Sequence, residues 1–278
     1  MPINYKNDRR YAHLSSDQVM KHYEVEKELR EAILQSKKEN RAEVIMQAYD
    51  DLFLRVPWHP ALTEKSGITS PELIKNRAEQ FDFILDGHKQ KILGIGCGHG
   101  ELMIGLSKLG YDCFGIDISS VRIVKLKQIE SEKLHFEQFE GSKLPFSNDT
   151  FESVVSMQLF EHLHPDDTSS HLDEVKRVLK PGGKYYLETP NKHVGPGDIS
   201  KFFSDEPQGF HLKEYDILDL YYLFKASGFS KVAVILRKKR KINILIAIIL
   251  EKIWLLLPRD RRRINTFGLH NPMVIGQK

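Results

Sequence analysis

The chain has 278 residues, of which 41% are hydrophobic, and a formal net charge of +3. These values support a full core in one large domain, with room for appendages. Only two cysteines are present, Cys97 and Cys113, which argues against a secreted disulfide framework and fits a reducing compartment. The polar N-terminal sequence MPINYKNDRR does not have the pattern of a signal peptide, so we expect a cytoplasmic protein.

The positive charge is concentrated near the C-terminus. Arg237–Lys241 contributes five positive charges and Arg259–Arg263 a net three, while Glu251 and Lys252 cancel. The segment 237–263 therefore carries +8, which leaves −5 on the rest of the chain. A basic patch this local predicts one anionic partner surface, and it argues against a chain that binds nucleic acid generally.

Residues 1–86 predict a helical extension made of three helices. Ser15–Asp17 can cap the first helix, and the second must end near Val56-Pro57 because the residue before a proline leaves the α region. Ser70–Glu72 supplies a cap, a first-turn proline and an acid, which together predict the start of the third. We expect this extension either to pack on a sheet or to form a lid over an acceptor site.

Residues 91–119 are the stretch around which the rest is organised. Two apolar runs flank an apolar-periodic stretch, and the second run ends at Asp117. Four glycines stand at every second position: Gly94, Gly96, Gly98 and Gly100. The pattern predicts strand, glycine turn, helix, strand and acid. Such glycines can take positive φ and let a ligand lie against the backbone, and the acid can accept both hydroxyls of a ribose.

The spacing of the glycines distinguishes between two cofactor classes. Dinucleotide binders need G-x-G-x-x-G or G-x-G-x-x-A. Counted from Gly96 and Gly98, the third position is Glu101, which blocks the close packing of helix on strand; counted from Gly94, it is His99. Neither register fits, so an NAD-dependent oxidoreductase remains only a disfavoured alternative.

Helices and strands alternate beyond Asp117. The apolar patterns predict helices over 120–132 and 172–179, and strands over 134–139, 153–158, 184–188, 231–239 and 272–277. Lys180–Gly183 predicts the end of a helix followed by a turn. A repeated order of helix then strand requires a parallel, doubly wound sheet.

Imidazoles and carboxylates are crowded between the strand 153–158 and the next helix. The group comprises Glu161, His162, His164, Asp166, Asp167 and His171. Its spacing is not His-Glu-x-x-His, and Asp167-Thr168 looks like a helix start. We therefore expect a polar loop with helix caps and no metal.

A long loop, 191–215, follows the strand 184–188. Long loops inside compact domains are often functional, and this one leaves the sheet edge at which α/β proteins bind ligands. We expect it to recognise the acceptor. His211 could be a base, a substrate donor or a structural histidine.

The segment 242–257, INILIAIILEKIWLLL, is apolar on nearly every side. At about 1.5 Å per residue it reaches roughly 24 Å, short of the roughly 30 Å of a bilayer core. We do not expect a transmembrane span. Its positive flanks fit a helix lying in a membrane interface, but a subunit contact or a helix folded over the substrate pocket remains open.

Several motifs together resemble the class I S-adenosylmethionine-dependent methyltransferases that act on small molecules. They are G-x-G-x-G, the stretch from Leu144-Pro145-Phe146 to Glu161-His162-Leu163, LKPGGKYYLETPN, and HLKEY at residues 211–215. The resemblance covers about 83–278. It implies an α/β fold with a Rossmann-like, seven-stranded, mostly parallel sheet over residues 87–278, and transfer of a methyl group to O or N of a small molecule such as a sugar or a lipid-linked compound.

The resemblance also assigns residues to sites. S-adenosyl-L-methionine would contact Gly94, Gly96, Cys97, Gly98, Gly100, Asp117, Ile118, Glu140, Gly141, Gln158 and Leu159, and Leu144–Phe146 would shape the adenine pocket. His162, His193 and His211 are the candidate bases. Gly94 departs from the family, because most members carry an acid there; Glu101 is a candidate substitute. This departure motivates an alternative, a methyltransferase-like binding module at a membrane with weakened catalysis.

Overall fold

The computed structural model of the protein describes residues 4–62, 70–139, 143–236, 240–258, 262 and 269–278. Its centre is one sheet of eight strands. In chain order these are β1 (Lys91–Ile95), β2 (Asp112–Asp117), β3 (Leu134–Gln138), β4 (Phe151–Met157), β5 (Leu179–Glu188), β6 (Lys231–Leu236), β7 (Arg240–Asn243) and β8 (Met273–Gln277). The described helices are α1 (Ser16–Gln35), α2 (Arg41–Arg55), α3 (Pro71–Ile84), α4 (Glu101–Lys108), α5 (Ser120–Lys127), α6 (Thr168–Val178), α7 (Ile217–Ala226) and α8 (Ile244–Trp254).

The strand order is β3-β2-β1-β4-β5-β8-β6-β7. Pairs among β1 to β5 are parallel, whereas β8 is antiparallel to both of its neighbours and β7 is antiparallel to β6. Strands β1 to β6 therefore run in one direction, and their carboxyl ends meet at one edge of the sheet. This is the edge at which such sheets bind ligands. The predicted doubly wound, mostly parallel architecture is confirmed.

The sheet has one strand more than the seven predicted. The pattern predicted a single strand over 231–239, but β6 ends at Leu236 and β7 returns beside it, with Leu236 opposite Arg240. Residues 237–239 lie outside the described part of the chain. The basic run 237–241 contains no glycine, proline or asparagine, so the sequence lacks the residues that usually mark a reversal.

Both faces of the sheet are covered, as side-chain alternation along buried strands allows. Leu93 and Val154 point into a core completed by α6, α7 and α8. Their neighbours Ile92 and Val155 point to the opposite face, into a core completed by α3, α4 and α5. The two cores fix the strand ends, and with them the edge that carries the candidate site.

The helices of residues 1–86 divide between two positions. α3 joins the layer on the sheet, where it packs against α4. α1 and α2 pack against each other and against the loop 191–215; Val25 and Leu52 share one apolar cluster with Phe210. α3 is therefore a layer on the sheet, whereas the role of α1 and α2 as a lid over an acceptor site stays a prediction.

The apolar insertion 242–257 contains α8, one face of which is buried. Ala247, Ile248 and Trp254 pack into the core beside α7. The other face is exposed, and its large apolar side chains are Leu245, Ile246, Ile249, Ile253 and, just beyond the helix, Leu256. In the part of the chain that the structure describes, no helix has both the length and the hydropathy needed to cross a membrane.

Candidate active site

The glycine turn after β1 leaves open space in which a ligand can lie. Gly96 and Gly98 have φ angles of +65° and +59°, in the left-handed region that favours glycine. A Cβ added to Gly98 would meet no atom of the described residues within 4 Å. At Gly96 an added Cβ would lie 3.0 Å from Cδ1 of Leu159, so the carboxyl end of β4 closes the other side of the turn.

The two outer glycines of the motif are packed against side chains. Gly100 is the N-cap of α4, and a Cβ there would lie 2.8 Å from Cδ2 of Leu126. At Gly94 a Cβ would lie 3.0 Å from Sδ of Met103. Met103 therefore occupies the space beside β1 where most of the resembling family carries an acid. Glu101 opens α4, and its role as a substitute stays a prediction.

The carboxylate of Asp117 lies at the carboxyl end of β2 and is only 7% exposed. Its Oδ2 accepts the N–H of Gly98 at 2.8 Å, and its Oδ1 accepts the N–H of Ser119 at 3.0 Å. An ionised carboxylate has about four acceptor positions, so positions remain for two ribose hydroxyls. An open glycine turn beside a carboxylate with fixed oxygens fits the nucleoside part of the expected cofactor.

The backbone holds the residues between the turn and Asp117 in place. The N–H of Cys97 donates to the carbonyl of Ile116 at 3.0 Å. The Nε2 of Gln138, the last residue of β3, donates to the carbonyl of Ile118 at 3.2 Å. Burial raises the pKa of the Cys97 thiol, which makes it a poor nucleophile. Glu140 and Gly141, predicted beside the adenine, lie outside the described residues.

Gln158 follows β4 in a conformation that is rare for a residue with a side chain. Its φ is +54°, and positions of this kind cost on the order of 1–3 kcal/mol and cluster at functional sites. Its N–H donates to the carbonyl of Glu188 at 2.9 Å, and its Nε2 donates to Oε1 of the same residue at 3.4 Å. The end of β5 thus holds Gln158 in place at the ligand-binding edge of the sheet.

A cavity of about 360 Å³ opens beside Gln158. Its lining also includes Arg10, Pro190, Val194, Gly195, Pro196, Gly197, Lys201, His270 and Asn271. Arg10 and Lys201 both bind Asp8, at 3.0 Å and 2.5 Å. Arg10 and Lys201 therefore place two cations on this wall of the cavity, and both are bound to the carboxylate of Asp8.

Two of the three predicted histidines meet beside this cavity. The ring centroids of His162 and His211 are 4.9 Å apart, with perpendicular planes. The Nδ1 of His162 lies 2.9 Å from the carbonyl of Phe210, and the Nδ1 of His211 lies 2.6 Å from Oε1 of Glu214. Glu161 joins them, since one potential ligand atom from each of the three side chains lies within 4.8 Å of the other two.

The surroundings of these groups set their protonation. Burial raises the pKa of Glu161 to about 7 and lowers that of His162 to about 3. Burial alone would also lower the pKa of His211, but the hydrogen bond to Glu214 and nearby carboxylates raise it to about 9. In the absence of a bound ion, His162 is neutral and His211 is a cation at neutral pH. Neither has the pKa near 7 that suits a general base.

The structure places His193 apart from that pair. It lies in a short 3₁₀ turn, Lys192–Val194, and its Nε2 is 3.2 Å from Oδ2 of Asp216. Asp216 also pairs with Lys192 at 2.8 Å and caps α7. These contacts describe an anchor at the start of a helix, and the role of His193 as a base stays a prediction.

Sequence reasoning missed a second buried group at the lid. The Nε2 of His22 lies 2.7 Å from Oε1 of Glu26, and the Nε2 of His59 lies 3.5 Å from the same oxygen. Oε2 of Glu26 accepts the N–H of Phe210 at 3.0 Å. The i, i+4 spacing of His22 and Glu26 on α1 was the available signal. Glu26 links α1 directly to the loop that carries His211.

The sequence also did not predict that two carboxylates of the loop, Asp198 and Glu214, are structural. Oδ2 of Asp198 accepts the N–H groups of Gly209 and His211, at 3.1 and 3.2 Å. Oε1 of Glu214 accepts the N–H of Gly197 at 2.7 Å. The loop is therefore an ordered structure built around buried acids.

Comparison with known proteins shows what the central part of the chain is similar to. Residues 93–187 match a family described as "Methyltransferase domain". A ubiquinone biosynthesis O-methyltransferase of Alkalilimnicola ehrlichii is 30% identical over 108 residues, which are 37% of this chain and 43% of that protein. The corresponding enzyme of Colwellia psychrerythraea is 29% identical over 111 residues, 38% of this chain and 44% of that protein. The chain thus spans less than half the length of these curated relatives.

Solved structures share the fold. A 1,6-didemethyltoxoflavin-N1-methyltransferase of Burkholderia thailandensis, with its substrate and S-adenosylhomocysteine bound, superimposes with a TM-score of 0.57 at 17% identity, covering 87% of this chain and 91% of that one. A SAM-dependent methyltransferase of Archaeoglobus fulgidus has a TM-score of 0.52 at 22% identity, with coverage of 75% and 95%. These similarities give the oxidoreductase alternative no support.

Proposed function

We propose that the chain transfers a methyl group from S-adenosyl-L-methionine to O or N of a small molecule, because residues 93–187 match a family described as "Methyltransferase domain". The observation that supports this most is the open glycine turn at Gly98, which is hydrogen-bonded to Asp117. A cavity lined by Gln158 lies at the end of β4. The turn and the acid would hold the cofactor, and the cavity would hold the acceptor.

The protein's contribution is mainly alignment. The bound cofactor supplies an activated methyl group on a sulfonium. Asp117 would hold the ribose, Leu159 would pack against the cofactor side of Gly96, and Gln158 would line the acceptor cavity. Correct alignment of reacting groups can itself supply several kcal/mol, about 7–11 in favourable cases.

The proposal also concerns the chemical class of the acceptor. The cations of Arg10 and Lys201 on the cavity wall suit an acceptor with an anionic or strongly polar group. The names of the two curated relatives support an oxygen acceptor and a lipid-like compound, whereas the Burkholderia enzyme is named for transfer to nitrogen. A hydroxyl acceptor must lose a proton, but the pKa values of His162 and His211 argue against either ring acting as the base by itself.

Titration calorimetry with S-adenosylmethionine, S-adenosylhomocysteine, NAD and NADP tests the proposal. We expect micromolar binding of the first two only. Asp117→Ala should weaken that binding at least tenfold, because hydrogen bonds to a charged group contribute about 1.5–3 kcal/mol each. Asp112→Ala, at the other end of β2, is the matched control and should bind normally. Absence of binding to any nucleotide would reject the enzyme in favour of the binding-module alternative.

A second proposal concerns location, and the exposed face of α8 supports it. Its large apolar side chains, for example Ile249 at 57% exposed, would sit in the interface of an anionic membrane. Basic runs flank the helix in the sequence and would attract anionic lipid. We propose a cytoplasmic protein that can lie on the inner membrane face. Removing 242–257 would also remove the buried Trp254, so surface substitutions test the idea better than truncation does.

A further inference from the structure

The cluster of Glu161, His162 and His211 has the composition of a metal site. Glu161 and His162 lie in the 3₁₀ turn directly after β4, and His211 comes from the long loop. The N–H of Lys213 donates to the carbonyl of Glu161 at 3.2 Å, which fixes the two segments to each other. The three side chains are therefore held together by the backbone around them.

The hydrogen bonds of the two rings determine which nitrogen is free. A carbonyl oxygen can only accept, so the Nδ1 of His162 must donate to Phe210. The Nδ1 of His211 faces a carboxylate oxygen of Glu214 that also accepts the N–H of Gly197, so this Nδ1 donates too. The neutral form of each ring then has its lone pair on Nε2. This is the arrangement of metal-binding histidines, whose other nitrogen donates to a carboxylate or a carbonyl. An ion that binds His211 must displace the Nε2 proton of the cation.

The buried carboxylate of Glu161 is a third observation in favour of a metal site, beside the fixed backbone and the histidine hydrogen bonds. The residue is 0% exposed, and its Oε2 accepts the hydroxyl of Thr189 at 2.9 Å. Within the described chain no donor reaches Oε1. A buried oxygen without a partner requires an explanation, and an unobserved ion is one of them.

We propose that Glu161, His162 and His211 bind a divalent transition-metal ion, with Zn²⁺ the first choice. Two imidazoles and one carboxylate suit Zn²⁺ and its first-row neighbours, and three protein ligands leave a coordination position open. Mg²⁺ and Ca²⁺ prefer oxygen ligands, which are the minority here. The sequence pattern predicted no metal because the residues 161–171 lack the spacing of a metal motif, and His211 lies 49 residues beyond His162.

The neighbouring cluster of His22, Glu26 and His59 shows why composition alone is not enough. The Nδ1 of His59 accepts the N–H of Ala61 at 3.1 Å. In a neutral ring the proton is therefore on Nε2, which faces Glu26 and has no lone pair for an ion. Hydrogen bonds within the protein already satisfy Glu26, so this cluster serves as an internal control.

The position of the proposed ion suggests its use, and this part rests on the proposed function. A Cβ added to Gly197 would lie 2.8 Å from Cε1 of His211 and 3.2 Å from Pro190, and both Gly197 and Pro190 line the cavity. An acceptor hydroxyl on the open coordination position would lose its proton to solvent more readily. The O–CH₃ bond would form as the S–CH₃ bond breaks, and the sulfonium would leave as a neutral thioether.

Metal binding is tested first without cofactor or acceptor, on tag-free protein dialysed against a chelator. Calorimetry with Zn²⁺, Mn²⁺ and Co²⁺ should give one site per chain. Glu161→Gln and His211→Asn should each abolish it, and Glu214→Gln should weaken it roughly 10–100-fold, as loss of a supporting partner usually does. Glu26→Gln, in the control cluster, should leave the affinity unchanged.

A second measurement keeps the proposal falsifiable if a variant does not fold. Anomalous diffraction from zinc-soaked crystals of the unsubstituted protein should give a peak between Glu161, His162 and His211. The absence of a stoichiometric site, or a peak at His22 and His59 instead, would overturn the proposal. S-adenosylmethionine binding is measured separately, so a failed metal site and a failed methyltransferase assignment give different results.

Discussion

At the scale of single residues, the structure shows that side chains with the same predicted role lie in different surroundings. Three histidines were candidates for the same role, yet His193 lies against Asp216 while His162 and His211 face each other. The glycine motif and Asp117 could be predicted, because their spacing is local. The partners of His211 could not, because Glu161 reaches it only through the packing of two distant segments.

Glu251 gives a prediction about pH at this scale. It is 3% exposed, and its carboxyl group accepts hydrogen bonds from Nδ2 of Asn191 and the N–H of Ile217. Burial raises its pKa from 4.5 to about 7. The unfolded chain therefore releases this proton at a lower pH than the folded chain does. Between about pH 4.5 and pH 7 the free energy of unfolding should fall as pH rises, and it should level off above pH 7.

Glu251→Gln removes this titration and tests the prediction. The variant should match the unsubstituted protein near pH 5 and be more stable at pH 8 by about 2–3 kcal/mol, since one pKa unit corresponds to about 1.4 kcal/mol. Urea unfolding at pH values from 5 to 8 measures the difference. Glu79→Gln, on the exposed surface of α3, is the matched control. A constant difference across this range would contradict the assignment.

At the scale of elements, local patterns located most helices and strands, but their contacts were harder to predict. The caps at Ser15 and Ser70 accept the expected N–H groups, and α2 ends before Pro57 as predicted. β7 was missed because the sequence between Leu236 and Arg240 contains no residue typical of turns. The position of α1 and α2 on the loop 191–215 depends on contacts across more than 150 residues of sequence, which no local pattern records.

Phe210 should control the attachment of this lid. Its ring is 5% exposed, belongs to the apolar cluster of α1 and α2, and lies 5.1 Å from the ring of Tyr49. Phe210→Ala should cost about 3–5 kcal/mol at this contact. Hydrogen exchange should then show α1 and α2 losing protection while β1 and β4 keep theirs.

Leu54→Ala is the matched control for this prediction. The side chain lies on α2 but is 79% exposed, so its removal should change stability by less than about 0.5 kcal/mol. Equal loss of protection across the sheet in Phe210→Ala would mean that the lid and the sheet unfold as one unit, which would count against a lid that opens separately.

At the scale of the whole molecule, the sequence predicted the architecture because alternating helices and strands leave few arrangements. It also located the charge asymmetry, which no single contact in the described structure explains. In the sequence, segment 237–263 carries a net charge of +8 and contains α8, whose exposed face is apolar. Charge should therefore bring the protein to an anionic surface, and the apolar side chains should hold it there.

Vesicle sedimentation separates these two contributions. Binding to phosphatidylserine-containing vesicles should fall as salt rises from 0.1 to 1 M, because the screening length shrinks from about 10 Å to about 3 Å. Ile249→Glu with Ile253→Glu should abolish binding even at low salt. Val121→Glu with Val124→Glu places the same two charges on the exposed surface of α5, where the valines are 67% and 62% exposed, and should retain most of it. Equal binding to neutral vesicles would remove the electrostatic part, and a changed oligomeric state without any vesicle binding would make the α8 face a subunit contact.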